Sequence, residues 1–557
     1  MSTLDWIVLL VTLAAIILYG IWKSRNLHGS ESYLLADKNM PWYIVLLGIM
    51  ATQASAITFI SAPGQTYTDG MRFVQYYFGL PIAMIVISIS FIPIFRKLNV
   101  YTAYQYLESR FDQKTRVLTS ILFLISRGLS TGISIYAPSI ILSSIMGWNI
   151  YMTNAIMGGL LLIYTYSGGA KAVAHTQKLQ FLIILTSMAV AGYLVVAQLP
   201  DGMTFSDALY VAGKSGKLNV ITTDFSWDDK YNIWSGIIGG FFLALSYFGT
   251  DQSQVGRYIT GKNLRESRMG LLMNGVVKIP MQFSILLIGA LLFAFYSFQN
   301  APVYFNQQAY NTLKEQDPAV VEQIETEYSA LHTQYQQQAK AIATNRENNE
   351  ALVADFKQTQ QQISVLRDTL RQHINRAAPT ADNGDTNYIF LYFVKHNLPK
   401  GLVGLLFAII FLASWGSISA ALNSLASSSM MDIQLLNIKK ELSDAQQVSI
   451  GRWHTLFWGL FSIGVAMFAT QMGSLIEAVN VLGSLFYGTI LGIFLVAFYV
   501  KRVSGHAVFY AAIVAEILVV AIYIANWVSF LWLNLIGAAL VIIIALLIPS
   551  KNQASTS

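Results

Sequence analysis

The stretch FLASWGSISAALNSLASSSM, residues 411–430, is apolar enough for lipid yet carries Ser414, Ser417, Ser419, Asn423 and Ser424 among small residues. Ala413, Gly416, Ala420 and Ala421 recur at helix-face spacing, which suits close packing of one membrane helix on another. Packing alone would be served by alanine. Hydroxyls facing a broken partner helix also make an oxygen cage for a small hard cation. Composition does not choose between these readings.

The rest of the chain sets the solvent. Of 557 residues, 54% are hydrophobic and 11% charged, whereas a soluble domain carries about 25% charge. Apolar runs of the roughly 20 residues needed to cross about 30 Å of hydrocarbon recur along almost the whole length. The expectation is an all-α polytopic membrane protein, because lipid-exposed backbone must satisfy its own hydrogen bonds. The absence of cysteine excludes disulfides and thiolate metal sites. Asp5 and the lack of a basic leading segment argue against a cleavable signal.

About thirteen spans are expected, near 4–22, 42–62, 74–95, 117–146, 150–168, 176–197, 232–250, 271–298, 400–428, 452–471, 474–500, 507–526 and 528–548. Alternate loops hold the basic residues: Lys23, Arg25 and Lys38; Arg96, Lys97 and Arg110; Lys171 and Lys178; Arg257 and Lys262; Lys439 and Lys440; Lys501 and Arg502. That alternation requires an odd count, with the N-terminus outside and the C-terminus cytoplasmic, in a bacterial inner (plasma) membrane. Residues 300–390 break the pattern, being Gln-rich and too charged for lipid. Val321, Ile324, Tyr328, Leu331 and Tyr335 form one apolar stripe; Phe356, Ile363, Leu366 and Leu370 form another, with TNRENN (344–349) between them. The spacing predicts an external antiparallel helical hairpin, a solvated spacer or an arm that docks a partner.

Polar residues inside spans cost free energy and point to function. Arg127 and Lys278 fall within spans four and eight, where snorkelling to the inner interface competes with a functional role. Asp251 is expected to end span seven. In span two, Thr52, Gln53, Ser55 and Thr58 precede Pro63 and Gly64, which are expected to interrupt or end the helix. A break there frees carbonyls for an ion or solute.

GIMATQASAITFISAPG (48–64), YSGGAKAVAHTQKLQ (166–180), FGTDQSQVGRYITGKNLRES (248–267) and ASWGSISAALNSLASSSMMDI (413–433) together resemble the sodium:solute symporter family. The resemblance implies a LeuT-like core of two inverted five-helix repeats, spans two to six and seven to eleven. It places a sodium ion between spans two and nine, on the carbonyls of Ala51, Ala54 and Ala413 and at the positions of Gly416 and Ser417. Gly416 stands where the family usually has serine, leaving Ser414, Ser419 or water to complete the shell. The family's second sodium site uses an aspartate where this chain has Gln177, and Ala420 replaces a further hydroxyl. One sodium per solute is the expectation.

For the solute, the resemblance implies Ser55, Thr58, Asp251, Lys278 and Asn480 in the central cavity, and Arg127 as a partner for a carboxylate. The implied function is sodium-driven symport of a sugar or a sugar acid such as sialic acid, driven inward by the membrane potential. Monocarboxylate or vitamin uptake, proton coupling and a channel-like conductance are the alternatives. No nucleophile–base constellation marks an enzyme. The expected organisation is 1–40, first helix and inner loop; 41–299, first repeat and start of the second; 300–390, hairpin; 391–500, rest of the second repeat; 501–557, two peripheral helices and a tail.

Overall fold

The computed structural model describes residues 1–24, 40–98, 102–347, 349–379, 382–437 and 443–549. Helices begin and end where local chemistry dictates. Asp112 accepts the Thr115 N–H at 2.8 Å to start the helix Gln113–Met146, which stops at Gly147 in a left-handed conformation (φ 68°). Asn263 caps Leu264–Phe298 through the Glu266 N–H at 2.9 Å.

Among the described residues, eight helices are long and apolar enough to cross a bilayer. Another crossing is a bent pair, Trp42–Gln53 and Ala56–Asp69, whose halves meet at 62°. Shorter apolar helices cover Thr3–Tyr19, Ile150–Tyr166 and Ser235–Thr250. The span expected near 452–471 is the helix Asp444–Ala466.

The bundle has two distinct ends. At one end, Gln198 donates to Asn397 O (2.6 Å), Lys395 to Ser144 O (2.9 Å) and the Gly401 N–H to Asp5 (2.5 Å). At the other, Arg96 donates to Gly261 O (2.6 Å), Arg110 to Lys501 O (2.9 Å) and Arg116 to Met431 O (2.7 Å). The first end carries the hairpin and the N-terminus. The second carries the arginines. Ile150–Tyr166 and Gln180–Ala197 both have their polar-loop termini, at Asn149 and Gln198, on the hairpin side, so they run antiparallel.

Each five-helix repeat opens with a broken helix, and the two enter from opposite ends. Trp42 starts at the arginine end, where Met40 bridges Gly261. Ser235 starts at the hairpin end and its chain reaches Tyr258 at the arginine end. This is the LeuT-like inverted arrangement.

The break in span two differs from its expected place. It falls at Ala54–Ser55, nine residues before Pro63, which sits inside the continuous helix Ala56–Asp69. The proline is tolerated because a membrane helix surrounded by other helices can re-satisfy the freed backbone group. Gly64 has a packing role: a Cβ there would lie 1.9 Å from Thr386 O. Span seven does not end at Asp251 but is interrupted there, in extended geometry (φ −76°, ψ 121°), between Gly240–Thr250 and Gln252–Tyr258.

The hairpin consists of Pro318–Thr344 and Glu350–Ala377. Its two stripes meet as expected, with Tyr335 stacked on Phe356 at 4.4 Å. It is nevertheless no free spacer. Tyr335 shares a hydrogen bond with Ser297 (3.1 Å), and Arg346 pairs with Asp207 at 2.6 Å, which ties the second half of the first hairpin helix and the turn after it to the bundle.

Candidate functional site

The break in the first repeat is a local rearrangement of hydrogen bonds. Ser55 N–H turns to Gln53 O (3.0 Å) and Thr58 N–H to Ser55 O (3.0 Å), leaving the Ala51 and Ala54 carbonyls without their usual helical partners among the described residues. The serine-rich helix Leu402–Ser429 crosses both halves of this broken helix. Ser417 lines the same cavity as Thr52, Gln53 and Ser55 at the break; its hydroxyl donates to Ser414 O at 3.0 Å and keeps its lone pairs free to accept or ligate. Ala413 and Gly416 lie one turn and one residue before it. Of the two expected helpers, Ser414 likewise donates back to its own helix, to Ile410 O (2.9 Å), whereas Ser419 is turned to Thr165 at 2.6 Å. The side chain of Gln177 lies outside the described residues.

Beside this crossing is a central cavity, of which about 160 Å³ is open to the centres of water molecules. Ser55, Thr58, Arg127, Lys278, Asn480 and Ser417 all line it. Asp251 does not. It is completely buried behind Arg127, and its carboxylate accepts from Arg127, from Tyr487 Oη (3.0 Å) and from the Ser253 N–H (2.8 Å). Arg127 therefore meets the cavity with its charge already compensated, over the Tyr247 ring at 5.4 Å.

Lys278 is the contrasting case. Snorkelling would have put its ammonium at the interface; instead the residue is 3% exposed and its side chain lines the cavity. Among the described residues it has no carboxylate within ion-pair distance, and its ammonium lies over the Tyr77 ring at 5.7 Å. Asn480 spends its amide N–H on Ile476 O (2.8 Å) and accepts from Tyr76 Oη at 3.2 Å. The cavity thus presents one uncompensated cation among hydroxyls, amides and aromatic rings.

Several lining residues escape a motif reading. Ser130, Thr131 and Ser134 follow Arg127 at +3, +4 and +7, a helix-face pattern that was legible in the sequence. Their hydroxyls donate to the backbone one turn earlier, for example Thr131 to Arg127 O at 2.6 Å. Tyr487 falls seven residues after Asn480 on the same face. Gln53 reaches Asn274 across helices at 3.1 Å, a pairing with no sequence signature.

The profile of the sodium:solute symporter family matches residues 33–325 and 368–515. The chain belongs to the sodium:solute symporter family. The unmatched stretch between the two segments falls inside the hairpin. The symporter is 25% identical to a sodium/sialic acid symporter of Aliivibrio fischeri over 98% of this chain and 93% of the relative. It is 26% identical to a sodium/sialic acid symporter of Proteus mirabilis over 97% and 93%. A sodium-dependent multivitamin transporter of Oryctolagus cuniculus is 27% identical over 88% of this chain and 66% of its own length. Among solved structures, a substrate-bound, outward-open Na+-coupled sialic acid symporter superposes with a TM-score of 0.74 at 23% identity, covering 98% of this chain and 97% of that one, which supports the fold. This symporter is a multi-pass integral membrane transporter and not an enzyme; sodium is the co-transported ion, with a small-molecule solute.

Proposed function

We propose that this symporter carries a carboxylate-bearing sugar, of the sialic acid class, inward with one sodium ion. The observation that carries the reading is the buried, uncompensated Lys278 ammonium in a cavity otherwise lined by hydroxyl, amide and aromatic groups. A charged nitrogen in such surroundings is stabilised by an anion, and polar side chains around it match sugar hydroxyls. Arg127, although paired, can extend a second N–H edge to the same carboxylate. Ser55 and Thr58 sit where the helix breaks, and Asn480 faces them from the opposite repeat.

In this reading the sodium ion is held by the carbonyls of Ala51, Ala54 and Ala413, the Gly416 position and the Ser417 hydroxyl. Binding there tightens the crossing of the broken helix and the serine-rich helix, which forms one wall of the solute cavity. By reciprocity the solute raises sodium affinity by the same factor. The hairpin end faces outward and the arginine end lies in the cytoplasm of a bacterial inner membrane, following the distribution of basic loops.

Under this reading the charge balance differs from that of potential-driven uptake. A neutral sugar moving with one sodium transfers one charge, worth about 2.3 kcal/mol per 100 mV. A monoanionic sugar moving with one sodium transfers none, so the sodium gradient alone drives uptake. Proteoliposomes given an inward sodium gradient test this directly with N-acetylneuraminate, a monocarboxylate, biotin and glucose as separate substrates. Sodium-dependent N-acetylneuraminate uptake that ignores an imposed potassium–valinomycin potential is the expected result. Uptake unaffected by replacing sodium with choline, or sodium-driven uptake of glucose but no acid, would overturn the proposal.

A further inference from the structure

A second cavity lies at the hairpin end, between the hairpin and the helix tips of the core, with about 250 Å³ open to the centres of water molecules. Three independent parts of the fold form it. Tyr67 and Thr68 come from the end of the first broken helix, Phe293 and Tyr296 from the helix Leu264–Phe298, and Arg367 from the second hairpin helix. Its walls are largely aromatic: the Tyr67 ring meets Phe293 at 5.6 Å and Phe305 at 5.5 Å.

Three cations line this aromatic box, Arg367, Lys217 and Arg371, together with the carboxylates of Asp368 and Asp385. Arg367 donates to Pro302 O (3.1 Å) and Tyr328 Oη (3.2 Å) and lies over the Phe305 ring at 5.3 Å. Lys217 is 8% exposed, donates to Thr68 O at 2.6 Å and lies over Phe293 at 5.0 Å. Neither has a carboxylate within ion-pair distance among the described residues. The nearby Asp385 directs its carboxylate instead to the N–H groups of Phe305 (2.6 Å) and Asn306 (3.0 Å). Tyr296, 2% exposed, lines the cavity with a hydroxyl that has no partner among the described residues. A buried donor left unmet is unfavourable, and an acceptor in the cavity removes that cost.

We propose that this cavity is a second ligand site, separate from the central one, which takes a carboxylate carried on a ring: a sugar acid or an aromatic acid. The carboxylate meets Arg367 and Lys217, the ring lies against Tyr67 and Phe293, and the Tyr296 hydroxyl donates to a ligand oxygen. Because Tyr67 and Thr68 belong to the half-helix next to the sodium crossing, occupancy braces that half against the hairpin.

The test is isothermal titration of the full-length protein in detergent without sodium, using N-acetylneuraminate, benzoate and inorganic sulfate as probes. Saturable binding of either ring acid is expected, weakened at least about tenfold by Arg367→Gln, as loss of a charge-assisted hydrogen bond implies. Tyr296→Phe is expected to weaken it by about threefold or more. Both variants are checked by circular dichroism, and wild-type binding is itself decisive. N-acetylneuraminate preferred over benzoate assigns the sugar acid, and the reverse assigns the aromatic acid. No binding of either ring acid, sulfate binding as tightly as both (an adventitious ion only), or folded variants that bind like wild type would each overturn the proposal. A Lys278→Ala protein retains this sodium-free event, so failure of the central-site reading and failure of this one give different results.

Discussion

Replacing Lys278 by methionine sets function against stability. Lys278 is 3% exposed, with no carboxylate in ion-pair range among the described residues and the Tyr77 ring 5.7 Å away to offset part of its lost hydration. A cation–π contact is worth about 0.5–2 kcal/mol, whereas desolvating an ion costs several kcal/mol even after relaxation. The charge is therefore a net burden on the free protein. Methionine keeps most of the stem's volume and removes that burden, so Lys278→Met raises the apparent unfolding temperature in detergent. The same change removes a charge-assisted hydrogen bond to the solute carboxylate, worth about 1.5–3 kcal/mol. At about 1.4 kcal/mol per tenfold, the half-saturating concentration of N-acetylneuraminate rises roughly 10- to 150-fold. Sodium-driven uptake in proteoliposomes and differential scanning fluorimetry read the two effects separately. A variant that is less stable than wild type, yet takes up the acid with half-saturation within about twofold of wild type, would refute the reasoning, because the lysine would then be serving the fold.

Ser417→Ala removes an oxygen at the helix crossing while leaving the carbonyls in place; the sodium concentration for half-maximal uptake is expected to rise roughly 5- to 50-fold, read from sodium titrations at fixed solute. Asp251→Asn strands the buried Arg127 charge and is expected to cost about 3–5 kcal/mol, while the double variant Asp251→Asn/Arg127→Gln recovers expression and thermal stability but not uptake. Gly64→Ala forces a methyl group toward Thr386 O, 1.9 Å from its Cβ, and is expected to destabilise the protein by about 1–3 kcal/mol, seen as a lower unfolding temperature. Binding in the hairpin-side cavity is expected to tighten between pH 7.5 and 5.5. Burial pushes the Asp385 carboxyl up to about 6 and holds the His332 imidazole below its ordinary value. Acidification therefore removes a negative charge first, and protonates His332 only later. Lys217, pushed down to about 8 by burial against the opposing pull of Asp69, is already largely charged at pH 7, and Arg367, Arg371 and Asp368 complete the charged set around the cavity. Titrations with benzenesulfonate, which stays anionic throughout, check the sign. The same Asp385 shift makes its contribution to stability greatest in acid and lost as pH rises through about 6, since the native state holds the proton that the unfolded chain has already released.

How much of this was legible without coordinates varies by feature. The hairpin was readable in detail because two stripes at 3–4 spacing, split by TNRENN, can only meet by folding back on each other. Its docking on the core was not, because Tyr335–Ser297 and Arg346–Asp207 join residues far apart in sequence. Pro63 and Gly64 looked like the break, since proline and glycine are the usual interrupters. The chain instead breaks at Ala54–Ser55, where no side chain forbids helix and where the helix Leu402–Ser429, supplied only by the fold, packs on both halves.

The amino-acid order by itself determined the solvent and the identity of the polar groups held within the spans, since lipid imposes the same demand on every span regardless of its neighbours. It also placed Arg127, Lys278 and Asp251 at membrane depth. Only tertiary structure decided which of those charges cancel. Asp251 turns to cap the helix after its own break and neutralises Arg127, and Lys278, with no such partner, is left as the charge the cavity offers. Electrostatic pairing falls off over a few ångströms, and distances on that scale are set by how helices pack, not by their order along the chain.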